Sequence, residues 1–405
     1  MPESLLNRRL KLGRFLGISL YVHWSLALVI AYVAISSREG GPSGEGGPAV
    51  VAFSIAQLLG VFLCVTLHEY GHAMAARYFG IGTVDITLLP IGGVARLRRM
   101  PRIPWQELVV ALAGPAVNVV IVGLIVASLW AFTDQTVLYG LAGCVGEFMG
   151  YPMDESLIES MITILLTPSL LGFITVMLIV NFFLVAFNLI PAFPMDGGRV
   201  FRSLLAMRLD YQKATMIASR VGLACAFVMA FLALSSNPPN PIPVLIALFI
   251  GYAGIAEARQ VDITESVRGL TAGQVMIRTQ ASIPADWPLY DMRLCWQANS
   301  SPALPVIESS GQVIGMLRLS DVAKALAGGM NQSTTAKQLI GTGSNIGTLR
   351  EEDALEIALL RTGRQNRQIP VVDSIGCLIG IVDLDSMLAR AEISRHAPMT
   401  FNEFS

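Results

Sequence analysis

Apolar positions along this chain come in two textures. Up to about residue 258 they form long, nearly unbroken runs; beyond it they shorten to strand length between charged residues. The long runs are Ile18–Ser36, Val50–Phe79, Leu108–Phe132, Met161–Ile190, Thr215–Leu234 and Ile242–Ala256. About 20 apolar residues cross a bilayer core as a helix, so these predict about six transmembrane helices, the last near the minimum length. Between the second and third runs, Thr83–Leu97 is too polar and too glycine-broken for a span and reads as strand–turn–strand. Arg8, Arg9, Lys11 and Arg14 precede the first run, which opens a signal-peptide reading. The run is long for a signal core and lacks a small-x-small cleavage site, so a retained transmembrane helix is expected there.

The connections alternate in charge. One set carries Arg8 to Arg14, then Arg96, Arg98, Arg99 and Arg102, then Arg199, Arg202, Arg208 and Lys213; the other holds only Arg38 among its basic residues. The positive-inside rule then places both termini in the cytoplasm and the acidic Thr133–Ser160 connection outside, in a multi-pass protein of the cell (inner) membrane.

After about Val261 an internal repeat appears. Pro305-Val306-Ile307-Glu308 through Gly311 and Gly315 aligns without gaps to Pro370-Val371-Val372-Asp373 through Gly376 and Gly380. Each copy reads as strand, glycine turn, strand and helix (Leu319–Leu326 and Leu384–Ala391). The expected organisation is a membrane domain over 1–258, a pair of α/β units over 259–395 (about 262–327 and 335–392), and a tail over 396–405. The fold class is therefore an α-helical polytopic membrane protein with a short membrane-associated β segment, followed by an α/β pair.

Composition agrees with lipid as the main solvent: 53% of residues are hydrophobic and 14% charged, against about 25% charge in soluble domains. The net charge of −1 offers no basic field for nucleic acid. Five scattered cysteines form no CxxC pair and suggest neither a disulfide framework nor a cysteine metal site.

Against this background His68-Glu69-Tyr70-Gly71-His72, inside the second run, is chemically informative. Positions i and i+4 share a helix face, so both imidazoles can bind one metal, and Glu69 beside them can take a proton from the attacking water. An acid at the centre of a span costs at least about 2.5–3.5 kcal/mol, which argues against a chance pattern. A third ligand is expected from the break in the fourth run, where two prolines and two glycines interrupt the helix around Asp196. Broken backbone at membrane depth is tolerated where it lines protein or a wet cavity. His23, expected in the first helix, is either hydrogen-bonded packing or a residue near the site. Asn118 and Asn181 are expected to bridge helices, at about 0.6–2 kcal/mol each, and Asn118 is also a candidate to support the site.

His68–His72 followed by Asn188-x-x-Pro191-x-x-Pro194-x-Asp196-Gly197 resembles the site-2 protease family of intramembrane zinc metalloproteases. Gly114-Pro115-x-x-Asn118 and Leu89-Pro90-Ile91-Gly92-Gly93-Val94 extend the resemblance over roughly Leu20 to Ala258. The repeat pair resembles cystathionine-beta-synthase-type (CBS) domains. The resemblance implies one zinc held by His68, His72 and Asp196, Glu69 as base, and Asn188 on the substrate backbone. It also implies that the segment with Gly92 and Gly93 offers a strand edge to a membrane-embedded protein substrate; a hairpin without substrate contact is the alternative. In CBS pairs a Ser/Thr and an Asp three residues later hold an adenosyl ligand. Here Arg318 and Asp321 occupy those positions in the first unit, and Asp383 and Ser386 in the second. An adenine nucleotide near Asp321 and a purely structural or dimerising pair both remain open. So do two rivals to the protease reading: a CBS-gated channel or transporter, and a catalytically dead membrane scaffold. The complete motif set argues against both.

Overall fold

The computed structural model describes residues 9–38, 47–90, 92–98, 101–132, 136–148, 154–236, 238–266, 268–278, 281–298, 301–340, 347–355 and 368–383. The helix expected over Leu384–Ala391, Ser386 within it, and the 396–405 tail lie outside these residues. The chain divides into two compact units, Met1–Ala258 and Arg259–Ser405.

Among the described residues the first unit opens not with a helix but with a hairpin. Strands β1 (Arg9–Phe15) and β2 (Ile18–His23) pair antiparallel around Leu16 and Gly17, whose φ angles of 48° and 82° suit a tight two-residue turn. After helices α1 (Leu26–Arg38) and α2 (Pro48–Tyr78), strand β3 (Thr83–Leu89) adds parallel to β2, and β4 (Gly92–Leu97) closes the sheet in the order β1-β2-β3-β4. Ile18, Leu20, Ile86 and Leu88 turn alternate side chains inward onto Phe62 and Ala73 of α2.

This corrects the transmembrane helix expected over Ile18–Ser36. Its first six residues are strand, and the 13 residues of α1 rise only about 20 Å. Mean apolarity conceals a period of two, which Ile18, Leu20 and Val22 share with Ser19, Tyr21 and His23. His23 accordingly ends β2 rather than lying in a helix, with Nδ1 2.6 Å from Ser25 Oγ.

Among the described residues, five helices are long and apolar enough to cross a membrane: α2, α3 (Pro104–Phe132), α6 (Leu170–Asn188), α8 (Tyr211–Ser235) and α9 (Pro241–Ser266). The expected six thus become five and the shorter α1. The fourth run is also divided. Helix α5 (Glu155–Leu166) ends before Pro168, and Ser169 accepts the Gly172 N–H to start α6. Helix α4 (Thr136–Phe148) lies in what reads as a connection. Helix α2 packs on α3 and α6, and the short α7 (Asp196–Ala206) packs on α3 and α8.

In the second unit, α10 (Ala272–Val275), β5 (Ile283–Pro284), α11 (Leu289–Ala298), β6 (Ala303–Ile307), β7 (Val313–Arg318), α12 (Leu319–Ala327), α13 (Ala336–Ile340), β8 (Leu349–Arg350), β9 (Gln368–Val372) and β10 (Leu378–Asp383) form two sheets of the same topology. In each, a parallel pair joins an antiparallel hairpin whose turn holds a positive-φ glycine, Gly311 or Gly376. The segment before each sheet packs on the other one. Ala272 is buried with Leu349, Ile369 and Val382, and Ala336 with Ile283, Leu304 and Leu317.

Candidate metal and active site

Helix periodicity brings His68 and His72 to one buried face of α2, and the break after α6 starts α7 at Asp196 against them. The His72 Nε2 lies 3.1 Å from His68 Nε2 and 3.0 Å from Asp196 Oδ2, and His68 Nε2 lies 3.2 Å from the same oxygen. The three side chains are buried and their ligand atoms form a group that can hold a metal ion.

The far side of each imidazole is tied down. His68 Nδ1 is 2.7 Å from Asn118 Oδ1, and His72 Nδ1 is 2.7 Å from the Val110 carbonyl. Asn118 in turn donates to Asn181 Oδ1 at 2.7 Å, as expected of two helix-bridging amides, and Asn181 donates to the Met177 carbonyl. Partners that accept at Nδ1 leave Nε2 unprotonated and aimed inward. Tetrahedral zinc with bonds near 2.0–2.1 Å needs ligand atoms about 3.3 Å apart, close to the observed triangle. The donor set, two imidazoles and a carboxylate, is that of a catalytic zinc with a position left open.

Small residues make room. A Cβ at Gly114 would stand 2.8 Å from His68 Nε2 and directly on His72 Nε2, and one at Gly71 would meet the Ala113 carbonyl, so α2 and α3 approach closely here. Gly197 and Gly198 allow α7 to start against the backbone of Leu189–Phe193.

Glu69 is half-buried on the adjoining part of α2. Its Oε2 accepts the Ala95 N–H of β4 at 2.8 Å, and a Cβ on Gly93 would lie 2.7 Å from its Cγ. Since β4 is an edge strand and Ala95 directs its N–H away from β3, the backbone of Gly93, two residues along, faces the same open side. Asn188 is half-buried at the end of α6, Gly92 begins β4, and Asp321 lies exposed in the first turn of α12. The Val110 carbonyl behind His72 and the contact of Gly93 with Glu69 have no signature in the sequence. Neither a backbone acceptor nor a missing side chain leaves a local pattern.

Buried histidines and a carboxylate meeting inside a bundle of apolar helices, with a glutamate at a strand edge, define an integral-membrane metallopeptidase. Residues 56–229 match peptidase family M50, and residues 272–328 match the CBS domain. The chain is 28% identical over 320 residues to the zinc metalloprotease MJ0392 of Methanocaldococcus jannaschii, covering 79% of this chain and 80% of that one. It is 27% identical over 397 residues to the putative zinc metalloprotease sll0528 of Synechocystis sp., covering 95% and 96%. A solved site-2 protease from Methanocaldococcus jannaschii covers 62% of this chain and 96% of its own at 28% identity, with a TM-score of 0.38. The chain carries a peptidase M50 (site-2 protease) domain over residues 56–229 and a CBS domain over residues 272–328. It is a multi-pass, zinc-dependent intramembrane endopeptidase acting on membrane proteins, the usual role of its family being regulated intramembrane proteolysis.

Proposed function

We propose that His68, His72 and Asp196 are the zinc ligands and Glu69 the general base for hydrolysis of a peptide bond in or near a substrate transmembrane helix. The convergence of the two Nε2 atoms and Asp196 Oδ2 beside Glu69 carries this reading. A zinc ion bound there supplies a Lewis acid for the scissile carbonyl and makes water more acidic. Glu69 takes the proton of the attacking water and passes it to the leaving amine, while the Ala95 N–H orients its carboxylate. The substrate helix unwinds and lies along β4, pairing with the open backbone near Gly92 and Gly93, with Asn188 on its main chain. Strand addition supplies main-chain hydrogen bonds without demanding one sequence, which suits an enzyme acting on segments of uniformly apolar character.

The CBS pair, residues 259–395, is proposed to sit in the cytoplasm with both termini, to dimerise the enzyme, and to bind an adenine nucleotide near Asp321. The direct test compares Glu69→Gln with His72→Ala in the full chain. The first is expected to keep zinc and lose cleavage, so that membrane proteins accumulate uncut or only pre-trimmed; the second is expected to lose both. Full zinc occupancy in purified His72→Ala would refute the ligand set.

A further inference from the structure

Arg202 is a fully buried charge that the hydrolytic scheme does not use. It is 1% exposed, on α7 six residues after Asp196. Its Nε and Nη2 both donate to Glu107 Oε1 of α3, Nε at 3.0 Å, and its Nη1 donates to Glu257 Oε1 of α9 at 2.8 Å. The guanidinium lies 5.0 Å from the ring centres of both Phe193 and Tyr211. Phe193 is three residues before Asp196, so one side chain grips the segment that leads into the carboxylate and the helix that leads away from it. Burying a guanidinium and a carboxylate is costly, and an apolar pair would hold two helices as well. A forked, planar cation adds direction and register instead.

The face of α3 shows what that register serves. Glu107, Val110, Gly114 and Asn118 follow one another at spacings of three and four residues, one stripe of a helix. Asn118 engages His68, the Val110 carbonyl engages His72, and Gly114 makes room for both imidazoles. Glu107, the remaining member, engages the Asp196 helix through Arg202. We infer that Arg202, held by Glu107 and Glu257, is a positioning residue for the zinc carboxylate: it locks α7 and the Phe193 segment onto α3 so that Asp196 meets the two histidines. The inference rests on the ligand reading above.

Zinc affinity of the full chain in detergent, measured by competition with a chelator, tests it alongside the thermal midpoint of the zinc-free protein. Arg202→Lys keeps the charge but loses the fork and the double stacking, and is expected to weaken zinc binding about 10–100-fold, as lost outer partners of metal sites do. Glu257→Gln, on the partner that is 35% exposed, is the milder change. It is expected to weaken zinc binding by a smaller factor with an unchanged zinc-free midpoint, and it decides the matter if Arg202→Lys does not fold. Wild-type affinity in both variants, or a lowered midpoint with unchanged affinity, would reduce the network to a structural ion pair and overturn the inference. Asp196→Ala is the control. Undiminished zinc binding there would overturn the ligand reading, and this inference with it, whereas loss in Asp196→Ala beside wild-type binding in Arg202→Lys and Glu257→Gln would overturn the inference alone.

Discussion

His68 and His72 are useful to a metal only because each ring is fixed from behind, and the two fixings differ in kind. One is a side-chain amide, Asn118, and the other the Val110 carbonyl, which no substitution can remove. Asn118→Ala should therefore free His68 alone, with zinc affinity falling about 10–100-fold while the protein still folds. Gly114→Ala should be harsher, because the added methyl occupies the space of His72 Nε2 itself. Zinc content of the purified variant should be near zero, and stoichiometric zinc would contradict the geometry. For Glu69→Gln, zinc should stay and turnover should drop about a hundred- to ten-thousandfold, the usual contribution of a positioned base. The residues proposed to react could be picked out of the sequence because they are local: a spacing of four within one helix, and a break rich in proline and glycine. Their supports were less legible, since Asn118 and Asn181 meet His68 and each other across 50 and 63 residues of chain, and only the final packing pairs them.

Elements show the same division. Runs that are apolar all round, such as α2, α3 and α8, declare themselves by length, since lipid leaves a backbone little choice but a helix. The β1–β2 hairpin did not, because its alternation was absorbed into the apolarity of α1. That hairpin sets the order of the sheet: it takes one side of β3 and leaves β4 as an edge strand next to Glu69. Contact between edge and helix is tight at Gly93, where a Cβ would come within 3.0 Å of Val65 and closer still to Glu69. Gly93→Ala should consequently displace the base without disturbing His68 or His72. The expected outcome is full zinc occupancy with a clearly lower kcat; an unchanged kcat would show that β4 can shift freely and does not hold Glu69.

At the scale of the whole molecule, orientation and regulation belong together, because a CBS pair can report only on the compartment it faces. The alternating basic connections predict that a cysteine placed at Asp154, the exposed residue capping α5, is labelled from outside, and one at Ser309 only after the membrane is opened. The reverse pattern would put the pair outside and leave it no access to cytoplasmic nucleotides. With the pair inside, α9 is the route we propose for its signal. It runs as one helix from Pro241 to Ser266 and carries Glu257, the outer member of the Arg202 network. A nucleotide that favours one arrangement of the pair can shift the enzyme only by its differential affinity for the two states, so an effect of about 1–3 kcal/mol or less is expected. Titration calorimetry of the full chain with AMP, ADP and ATP should give weak binding that Asp321→Ala removes, and the bound nucleotide should change the cleavage rate in the parent but not in Asp321→Ala. If no nucleotide gives heat or a thermal shift at millimolar concentration, the pair is a dimerisation module and Asp321 an ordinary solvated residue. If binding occurs but Glu257→Gln leaves its effect on cleavage intact, the signal does not travel through α9 to Arg202.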